Sequence, residues 1–221
     1  MNSNYKVIKF RSNNSKEVND LISIEEPLEI ILKYKDKENW IENTISVTMR
    51  TPGDDDNLVT GFLFNERVIE KINHIENITV SGNPVGQYKL HNKIVVTINN
   101  SENVDIDKIK RNFLTNSSCG VCGKTSLESL EIIKKDKIIK SIPKIHHEVI
   151  MKSPNILRQK QSEFSKTGGI HASGLFNTNG EIVALKEDVG RHNALDKLIG
   201  FVLKKNLLDN SSQFLTCSGR L

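Results

Sequence analysis

The predicted fold rests on the segment Glu187-Asp188-Val189-Gly190-Arg191-His192-Asn193-Ala194-Leu195-Asp196-Lys197. An apolar run at 182–185 precedes it and predicts a strand, and apolar residues at 194–202 recur at helical spacing and predict a helix packed on a core. Such a strand-to-helix junction is where α/β folds bind anions, through unpaired backbone N–H groups and the helix dipole. Gly190 allows close backbone approach, and Arg191 can donate two parallel hydrogen bonds to a phosphate. The junction is thus either an anion site or a polar helix cap with a local aspartate–arginine pair.

Two further polar stretches present the same choice. Thr167-Gly168-Gly169-Ile170-His171-Ala172-Ser173-Gly174 has a glycine pair before a histidine, which suggests that another molecule comes near, although a lone histidine is more often structural. Ser218-Gly219-Arg220 offers either a phosphate contact or a charged turn. Between these stretches, Asn177-Thr178-Asn179-Gly180 is typical of a β-hairpin turn.

Two of the three cysteines lie in Ser117-Ser118-Cys119-Gly120-Val121-Cys122-Gly123-Lys124-Thr125-Ser126. A structural zinc site needs four ligands, usually with a second such pair, and the remaining cysteine is the distant Cys217. Lys124 and a helix-capping signal at 125–128 favour the reactive thiolate form, so a reactive dithiol is the main hypothesis. Two inert buried cysteines are one alternative. The other is a mixed zinc site that draws on His146, His147, His171 or His192.

Two classes of enzyme with comparable motifs fit the sequence less well. Zinc nucleoside deaminases combine H-x-E with a later P-C-x-x-C. Here Ser173 stands where the proton-shuttling glutamate would follow His171, and no proline precedes Cys119. A thioredoxin-type oxidoreductase would place its CxxC early, after the first strand of a βαβ unit, and not in mid-chain.

The first half of the chain predicts a β-rich unit with one helix. Residues 1–18 are polar and aperiodic, and they predict a loose tail or edge segment. Strands are predicted at 28–32, 45–49, 75–80 and 93–98. Asp54-Asp55-Asp56 predicts the first turn of a helix rather than a metal site, because adjacent carboxylates on a helix do not converge on one point.

The second half predicts a helix that starts at Ser153-Pro154-Asn155, with serine as N-cap and proline at the first helical position, and runs to about Phe164. A buried strand is predicted at 214–218. The expected organisation is a polar tail at 1–18, a β-rich domain at 19–115, a mobile cysteine loop at 116–126 and a second domain at 127–221.

Composition limits the classes of function. The 221 residues carry a net charge of +4, a mild bias that falls short of a nucleic-acid-binding arm and suits an anionic ligand or an acidic partner surface. No run is long enough to span a membrane, and the N-terminus lacks the apolar core of a signal peptide. The expected location is the cytoplasm, where thiols stay reduced.

Taken together, these residues resemble the family of formate dehydrogenase accessory sulfurtransferases, the FdhD family. The matching stretches are 118–123, 167–172, 187–200 and 218–220, with weaker similarity around Gly61-Phe62-Leu63. The resemblance implies an α/β (α+β) protein, with a small β-roll-like domain followed by a cytidine-deaminase-like three-layer domain. It also implies a homodimer that takes sulfur from a cysteine desulfurase. The recipient is the molybdenum (or tungsten) bis-guanine-dinucleotide cofactor, which is then inserted into formate dehydrogenase.

The resemblance also points to the first cysteine of the pair as the sulfur carrier. Cys119 is expected to carry the persulfide and Cys122 to resolve or relay it, since vicinal thiols exchange readily. No permanently bound metal is expected. The residues expected to bind the cofactor are Gly168, Gly169, His171, Asp188, Gly190, Arg191, His192 and Arg220.

The chain departs from the family pattern at its end. Family members continue well past the Ser-Gly-Arg stretch, whereas this sequence stops at Leu221. The second domain is therefore expected to be truncated, and cofactor binding to be weakened. A cofactor-binding chaperone without catalysis and a zinc-binding module at the CxxC pair are the alternative functions.

Overall fold

The protein is described by a computed structural model that covers residues 1–12, 14–99, 144–208 and 212–219. Predictions that fall on residues 100–143, the cysteine loop above all, lie outside the described residues, as does Arg220. The described elements of the first half are the strands β1 (Asn2–Arg11), β2 (Asn14–Ser23), β3 (Glu26–Asp36), β4 (Asn39–Arg50), β5 (Ile75–Ser81) and β6 (Lys93–Ile98), with helix α1 (Asp55–Asn65) and a 3-10 turn (Ile72–His74). Those of the second half are α2 (His147–Lys160), α3 (Ser162–Thr167), β7 (His171–Asn177), β8 (Ile182–Asp188), α4 (Arg191–Lys204) and β9 (Gln213–Cys217).

The N-terminal unit is a four-stranded sheet in the order β4-β3-β6-β5, with β3 parallel to β6 and the other pairs antiparallel. Alternate residues of β3 are fully buried, Leu28, Ile30, Leu32 and Tyr34 among them, as the period of two in a strand requires. Leu58, Val59 and Leu63 of α1 complete this core. The four strands and the helix predicted here are confirmed.

The second unit has three layers around the antiparallel sheet β8-β7-β9. Neighbouring residues of β7 face opposite sides of that sheet. Leu175 packs with Leu198 and Val202 of α4, whereas Phe176 packs with Leu157 of α2. The predicted mixed α/β class is therefore confirmed, with the helices of this unit on both faces of its sheet.

Helices α1 and α4 join the two units and approach each other at two glycines. A Cβ atom added to Gly61 would lie 1.8 Å from the backbone oxygen of Asp196, and one added to Gly200 would lie 1.9 Å from that of Asn57. Only glycine fits at either position, so the backbones of the two helices are in direct contact. Because α1 contacts its own sheet on one side and α4 on the other, it is buried on most of its surface.

Each carboxylate of the acidic triplet at the start of α1 pairs with a different basic side chain. Asp55 forms a forked pair with the buried Arg50, at 3.0 and 2.9 Å. Asp54 pairs with Lys186 at 2.8 Å and Asp56 with Lys204 at 2.7 Å, and both lysines belong to the second unit. The prediction that these carboxylates start a helix is confirmed, and each of the three has a different basic partner.

Of the two alternatives predicted for residues 1–18, a loose tail or an edge segment, the loose tail is wrong. The segment forms most of the hairpin β1–β2, in register from Asn2↔Ser23 to Arg11↔Asn14. The hairpin lies on α3, where Asn2 donates to Glu163 at 2.9 Å and Ser23 to Thr167 at 2.9 Å. An exposed two-stranded ribbon pairs its own backbone groups and buries few side chains, so its composition resembles that of a tail.

The predicted start of the second-half helix is also wrong. Helix α2 begins at His147, and Pro154 lies inside it. Proline leaves the carbonyl of Ile150 without its intrahelical donor, and the Ser153 hydroxyl donates to that oxygen instead, at 2.9 Å. The helix then breaks at Gln161, whose ψ of 98° is not helical, before α3 begins. Strand β9 is less buried than predicted, since Leu215 is 46% exposed.

Candidate functional site

Three of the polar stretches predicted from the sequence meet at one place. A Cβ atom on Gly219, after β9, would lie 3.1 Å from the ring of His171, at the start of β7, and 3.7 Å from Cδ of Arg191, at the start of α4. Ser218 links β9 to β7, since its hydroxyl accepts from the backbone N–H of Ala172 at 2.8 Å and lies 3.4 Å from Nδ1 of His171. The fold therefore brings the stretches 167–174, 187–197 and 218–219 to the same edge of the second sheet.

The buried carboxylate of Asp188 stabilises the junction between β8 and α4. Its carboxylate is fully buried, lies 2.7 Å from Nζ of Lys197, and accepts from the backbone N–H of Gly190 at 2.8 Å. It also accepts from the backbone N–H of Thr51 in the N-terminal unit, at 3.1 Å. Asp188 thus positions the start of α4 and binds the two units together, and its burial leaves it no surface for a ligand.

Glu187, the neighbour of Asp188, points to the opposite face of the strand. Its carboxylate accepts from the backbone N–H groups of Glu163 and Phe164, each at 3.0 Å. These are donors of the first turn of α3 that have no partner within the helix, so Glu187 caps α3 from a distance. Gly168 directly follows α3, in the left-handed region with a φ of +70°.

A pocket of about 470 Å³ lies between α2, α3 and the ends of β7 and β9. It contains the predicted residues Gly168, Gly169 and His171. It also contains three residues that the sequence patterns did not identify: Arg158, Gln161 and Phe164. The Arg158 guanidinium lies over the Phe164 ring, 3.6 Å from its centre, which gives one wall a flat cationic surface.

The start of α4 makes one edge of the site positive. Gly190 precedes the helix and Arg191 is exposed at its first position, beside His171 and Gly219. Burial and the neighbouring Arg191 cation hold the pKa of His192 below its usual value, so this half-buried ring stays neutral near pH 7. A helix N-terminus with an exposed arginine and a neutral histidine is suited to an anion.

The described residues do not include every predicted site residue. Cys119, Cys122 and Arg220 lie outside them. Of the histidines considered as zinc ligands, His171 lies in the pocket, whereas His146 and His147 are exposed just before and at the start of α2. The side-chain donors of His146, His147 and Glu148 lie within 4.8 Å of one another.

The fold and the pocket define a class of two-unit α/β protein with a pocket lined in part by glycines. The FdhD/NarQ family model matches residues 23–221. A sulfur carrier protein FdhD from Saccharolobus solfataricus is 37% identical over 217 residues, which are 98% of this chain and 76% of that protein. One from Picrophilus torridus is 42% identical over 205 residues, 93% of this chain and 72% of its own length.

The chain belongs to the FdhD/NarQ family, and the predicted resemblance is confirmed. A solved structure with a similar fold is that of a proposed formate dehydrogenase accessory protein from Desulfotalea psychrophila. It is 24% identical, with a TM-score of 0.65, and the match covers 100% of this chain and 75% of the other. In the described part of the chain, no helix is long and apolar enough to cross a membrane.

Proposed function

We propose that this chain is a sulfur carrier in the maturation of formate dehydrogenase. The observation that carries the proposal is the meeting of His171, Arg191 and Gly219 beside one pocket, in a chain whose relatives are named sulfur carrier proteins. The chain acts as a sulfurtransferase, with Cys119 as the carrier. The active form is a homodimer, and it acts in the cytoplasm, where thiols stay reduced.

The first step loads sulfur onto Cys119. Its thiolate attacks the outer sulfur of a persulfide on a cysteine desulfurase, so that a new S–S bond forms on Cys119. The old S–S bond breaks and the desulfurase cysteine leaves as a thiolate, with no change in the overall oxidation state. Lys124 lowers the cost of the negative charge on the attacking sulfur. Cys122 resolves or relays the loaded sulfur.

In the second step the terminal sulfur passes to the molybdenum bis-guanine-dinucleotide cofactor, which is a substrate of this protein. The S–S bond on Cys119 breaks, Cys119 leaves as a thiolate, and the two electrons that take the transferred sulfur to the sulfide level would come from the reduced metal of that substrate. The pocket and the neighbouring start of α4 have groups that match such a molecule. Arg191 and the start of α4 suit a phosphate, and Gly168 and Gly169 let a ligand approach the backbone. The Arg158–Phe164 wall offers a flat surface to a heterocyclic ring. Asp188 acts through the position of Gly190 and Arg191 and does not touch the ligand.

Mass spectrometry after incubation with a cysteine desulfurase and cysteine tests the carrier role. We expect a mass increase of one sulfur atom on the native chain, which dithiothreitol removes. Cys119→Ala abolishes it, and Cys217→Ala, the matched control, retains it. A native chain that gains no sulfur contradicts the carrier role and leaves a cofactor-binding chaperone as the function.

The same samples test the alternative of a zinc module. The side-chain donors of His146, His147 and Glu148 lie within 4.8 Å of one another, which is close enough for a shared zinc ion. Stoichiometric zinc in the purified chain that is lost in Cys119→Ala, together with no sulfur loading, would support this alternative. Zinc below one tenth of the chain concentration in a chain that loads sulfur excludes it.

A further inference from the structure

The hairpin β1–β2 is a ribbon that contacts α3 at its open end and is exposed toward its turn. Its hydrogen bonds to α3 are made by Asn2 and Ser23. Between positions 4 and 17, every described residue except Val7 is exposed. Because a strand rises about 3.3 Å per residue, the exposed part of the ribbon is roughly 20 Å long. A two-stranded ribbon alone is marginally stable, so this one is suited to binding a partner.

The two faces of the ribbon differ in chemistry near the turn. Lys9 and Lys16 lie directly opposite each other, and Arg11 lies on the same face. Ile8 and Phe10 lie on the other face, where they are 61% and 76% exposed. Like charges directly opposite each other destabilise a strand pair, and large apolar side chains gain free energy from burial. A partner that binds both faces would therefore stabilise the ribbon.

The basic face is not neutralised by the ribbon itself. The carboxylates of Glu17 and Asp20 pair with Lys6 and Lys9, at 3.3 and 2.9 Å. Among the described residues, no carboxylate pairs with the outermost cations near the turn. Four basic and two acidic side chains give the two strands a charge of +2, half of the +4 of the whole chain. Such a surface attracts an acidic partner, and it does not attract a second copy of a basic chain.

The position of the two faces limits the kind of acidic partner. The faces point in opposite directions, so a flat lipid surface would contact one of them and leave the other in water. A groove in a folded protein contacts both, with carboxylates on one wall and an apolar slot for Phe10 in the other. Aromatic and arginine side chains are also enriched at protein–protein interfaces.

The open end of the ribbon lies beside the pocket. It contacts Glu163 and Thr167, and the residue after each of these, Phe164 and Gly168, lines the pocket. A protein bound to the ribbon is therefore held close to the pocket. The protein that needs this position is the one that takes up a molecule leaving the pocket.

We propose that the β1–β2 ribbon is the docking site for the enzyme that receives the cofactor, and that this enzyme binds it with an acidic groove. The inference rests on the proposed function, in which the recipient is formate dehydrogenase without its cofactor. A recipient that is already bound takes up the cofactor in an intramolecular step, at a high effective concentration. The opposite charges of the two surfaces speed their association.

Biolayer interferometry with the full chain and immobilised, cofactor-free formate dehydrogenase of the same organism tests the proposal. We expect Phe10→Ser to weaken binding at least about tenfold, because the apolar slot loses its occupant. The double variant Arg11→Glu, Lys16→Glu weakens binding by a similar factor, through slower association. Added NaCl slows the association of the native chain more than that of the double variant.

Matched controls make the same changes elsewhere on the surface. Val80→Ser removes an exposed apolar side chain from β5, and Lys71→Glu reverses an exposed charge before the 3-10 turn. Both bind formate dehydrogenase as the native chain does. Phe10→Ser and the double variant load sulfur from the cysteine desulfurase at the native rate, which shows that they are folded and that the ribbon does not serve the sulfur donor.

Several results would overturn the proposal. Equal binding by the native chain and Phe10→Ser, or no binding by the native chain, removes the ribbon as the docking site. A lower sedimentation coefficient of Phe10→Ser makes the ribbon a contact between subunits. Cosedimentation of the native chain, but not of Phe10→Ser, with phosphatidylglycerol vesicles makes it a lipid-binding element. Slower sulfur loading of Phe10→Ser assigns it to the desulfurase.

Failure of this proposal and failure of the proposed function give different results. A native chain that loads sulfur and binds formate dehydrogenase regardless of Phe10 remains a sulfur carrier, with its docking site elsewhere. A native chain that loads no sulfur but binds through Phe10 keeps the docking site and loses the carrier role.

Discussion

At the scale of single residues, the adjacent carboxylates Glu187 and Asp188 at the end of β8 position two different helices. Since neighbouring side chains on a strand point to opposite faces, Glu187 caps α3 and Asp188 holds α4 and Thr51. The two residues thus fix opposite sides of one site. Both sets of contacts are made between residues of the chain itself, so the fold positions the two sides of the site.

Replacement of Asp188 by asparagine should destabilise the protein strongly. The substitution leaves the Lys197 ammonium, which is 2% exposed, without its counter-ion, and such a loss costs about 3–5 kcal/mol. Urea unfolding followed by circular dichroism measures the change. Glu42→Gln breaks the exposed pair with Lys33 and should cost less than about 1 kcal/mol. A similar effect of both substitutions would contradict this role for Asp188.

Asp196 should make the stability depend on pH. Burial, together with the charges of Glu66 and Asp188, raises its pKa to about 7 from 3.8, against the opposing hydrogen bond from Asn65. Between these two values the folded chain binds more protons than the unfolded chain. The contribution of Asp196 to the free energy of unfolding is therefore complete below about pH 4 and is lost as the pH rises through about 7.

The variant Asp196→Asn isolates this contribution. Its side chain does not ionise, so its free energy of unfolding should fall less between pH 4 and pH 7 than that of the native chain. Urea titrations at several pH values provide the comparison. Parallel profiles for the two chains would mean that Asp196 titrates in the folded protein as it does in the unfolded one.

Sequence patterns could find some of these residues and not others. His171, Arg191 and Gly219 lie in polar, glycine-containing stretches next to strands, a pattern that is visible in one dimension. Gln161 has no such signal, because its environment is created by the break between α2 and α3. The polar residues around Asp188 in the sequence favour it as a ligand-binding residue. The structure instead buries it, through contacts with Thr51 and Lys197 that only the folded chain brings together.

At the scale of elements, the crossing of α1 and α4 sets the distance between the two units. Gly200→Ala places a Cβ atom where the carbonyl of Asn57 lies, so the helices must separate, at a cost of about 3 kcal/mol or more. Gly169→Ala is the matched control, because its Cβ atom would meet one atom, 4.0 Å away. Urea unfolding gives the free energy of unfolding of both variants. Equal values for Gly200→Ala and Gly169→Ala would contradict the contact between the two backbones.

Helix boundaries were the least predictable part of the elements. Ser153 and Pro154 form a common helix start, yet α2 runs through them because the Ser153 hydroxyl replaces the missing donor. The hairpin β1–β2 was missed for the opposite reason, since its contacts with α3 come from residues far away in the sequence. The strands of the first sheet could be predicted because their apolar residues alternate with polar ones. This alternation indicates which face of each strand is buried.

At the scale of the whole molecule, the two units should unfold together. They share the α1–α4 crossing and the ion pairs Asp54–Lys186 and Asp56–Lys204. Trp40, the one tryptophan of the chain, lies in β4 of the N-terminal unit. Gly200→Ala, in the other unit, should therefore lower the urea midpoint seen by Trp40 fluorescence as much as that seen by circular dichroism.

A difference between the two midpoints would contradict this cooperativity. If Trp40 reported the native midpoint while circular dichroism shifted, the N-terminal unit would fold without help from the second. Leu157→Ala removes a buried side chain from the face of the second sheet opposite α4 and serves as a further test of the same coupling.

The paired glycines also limit how halves of related proteins can be recombined. A chimera that joins the first half of one relative to the second half of another inherits Gly61 from one parent and Gly200 from the other. If either parent carries a larger residue at its position, the recombinant has a mismatch that neither ancestor had to tolerate. Swapping experiments should therefore choose parents by these two positions before they consider overall identity.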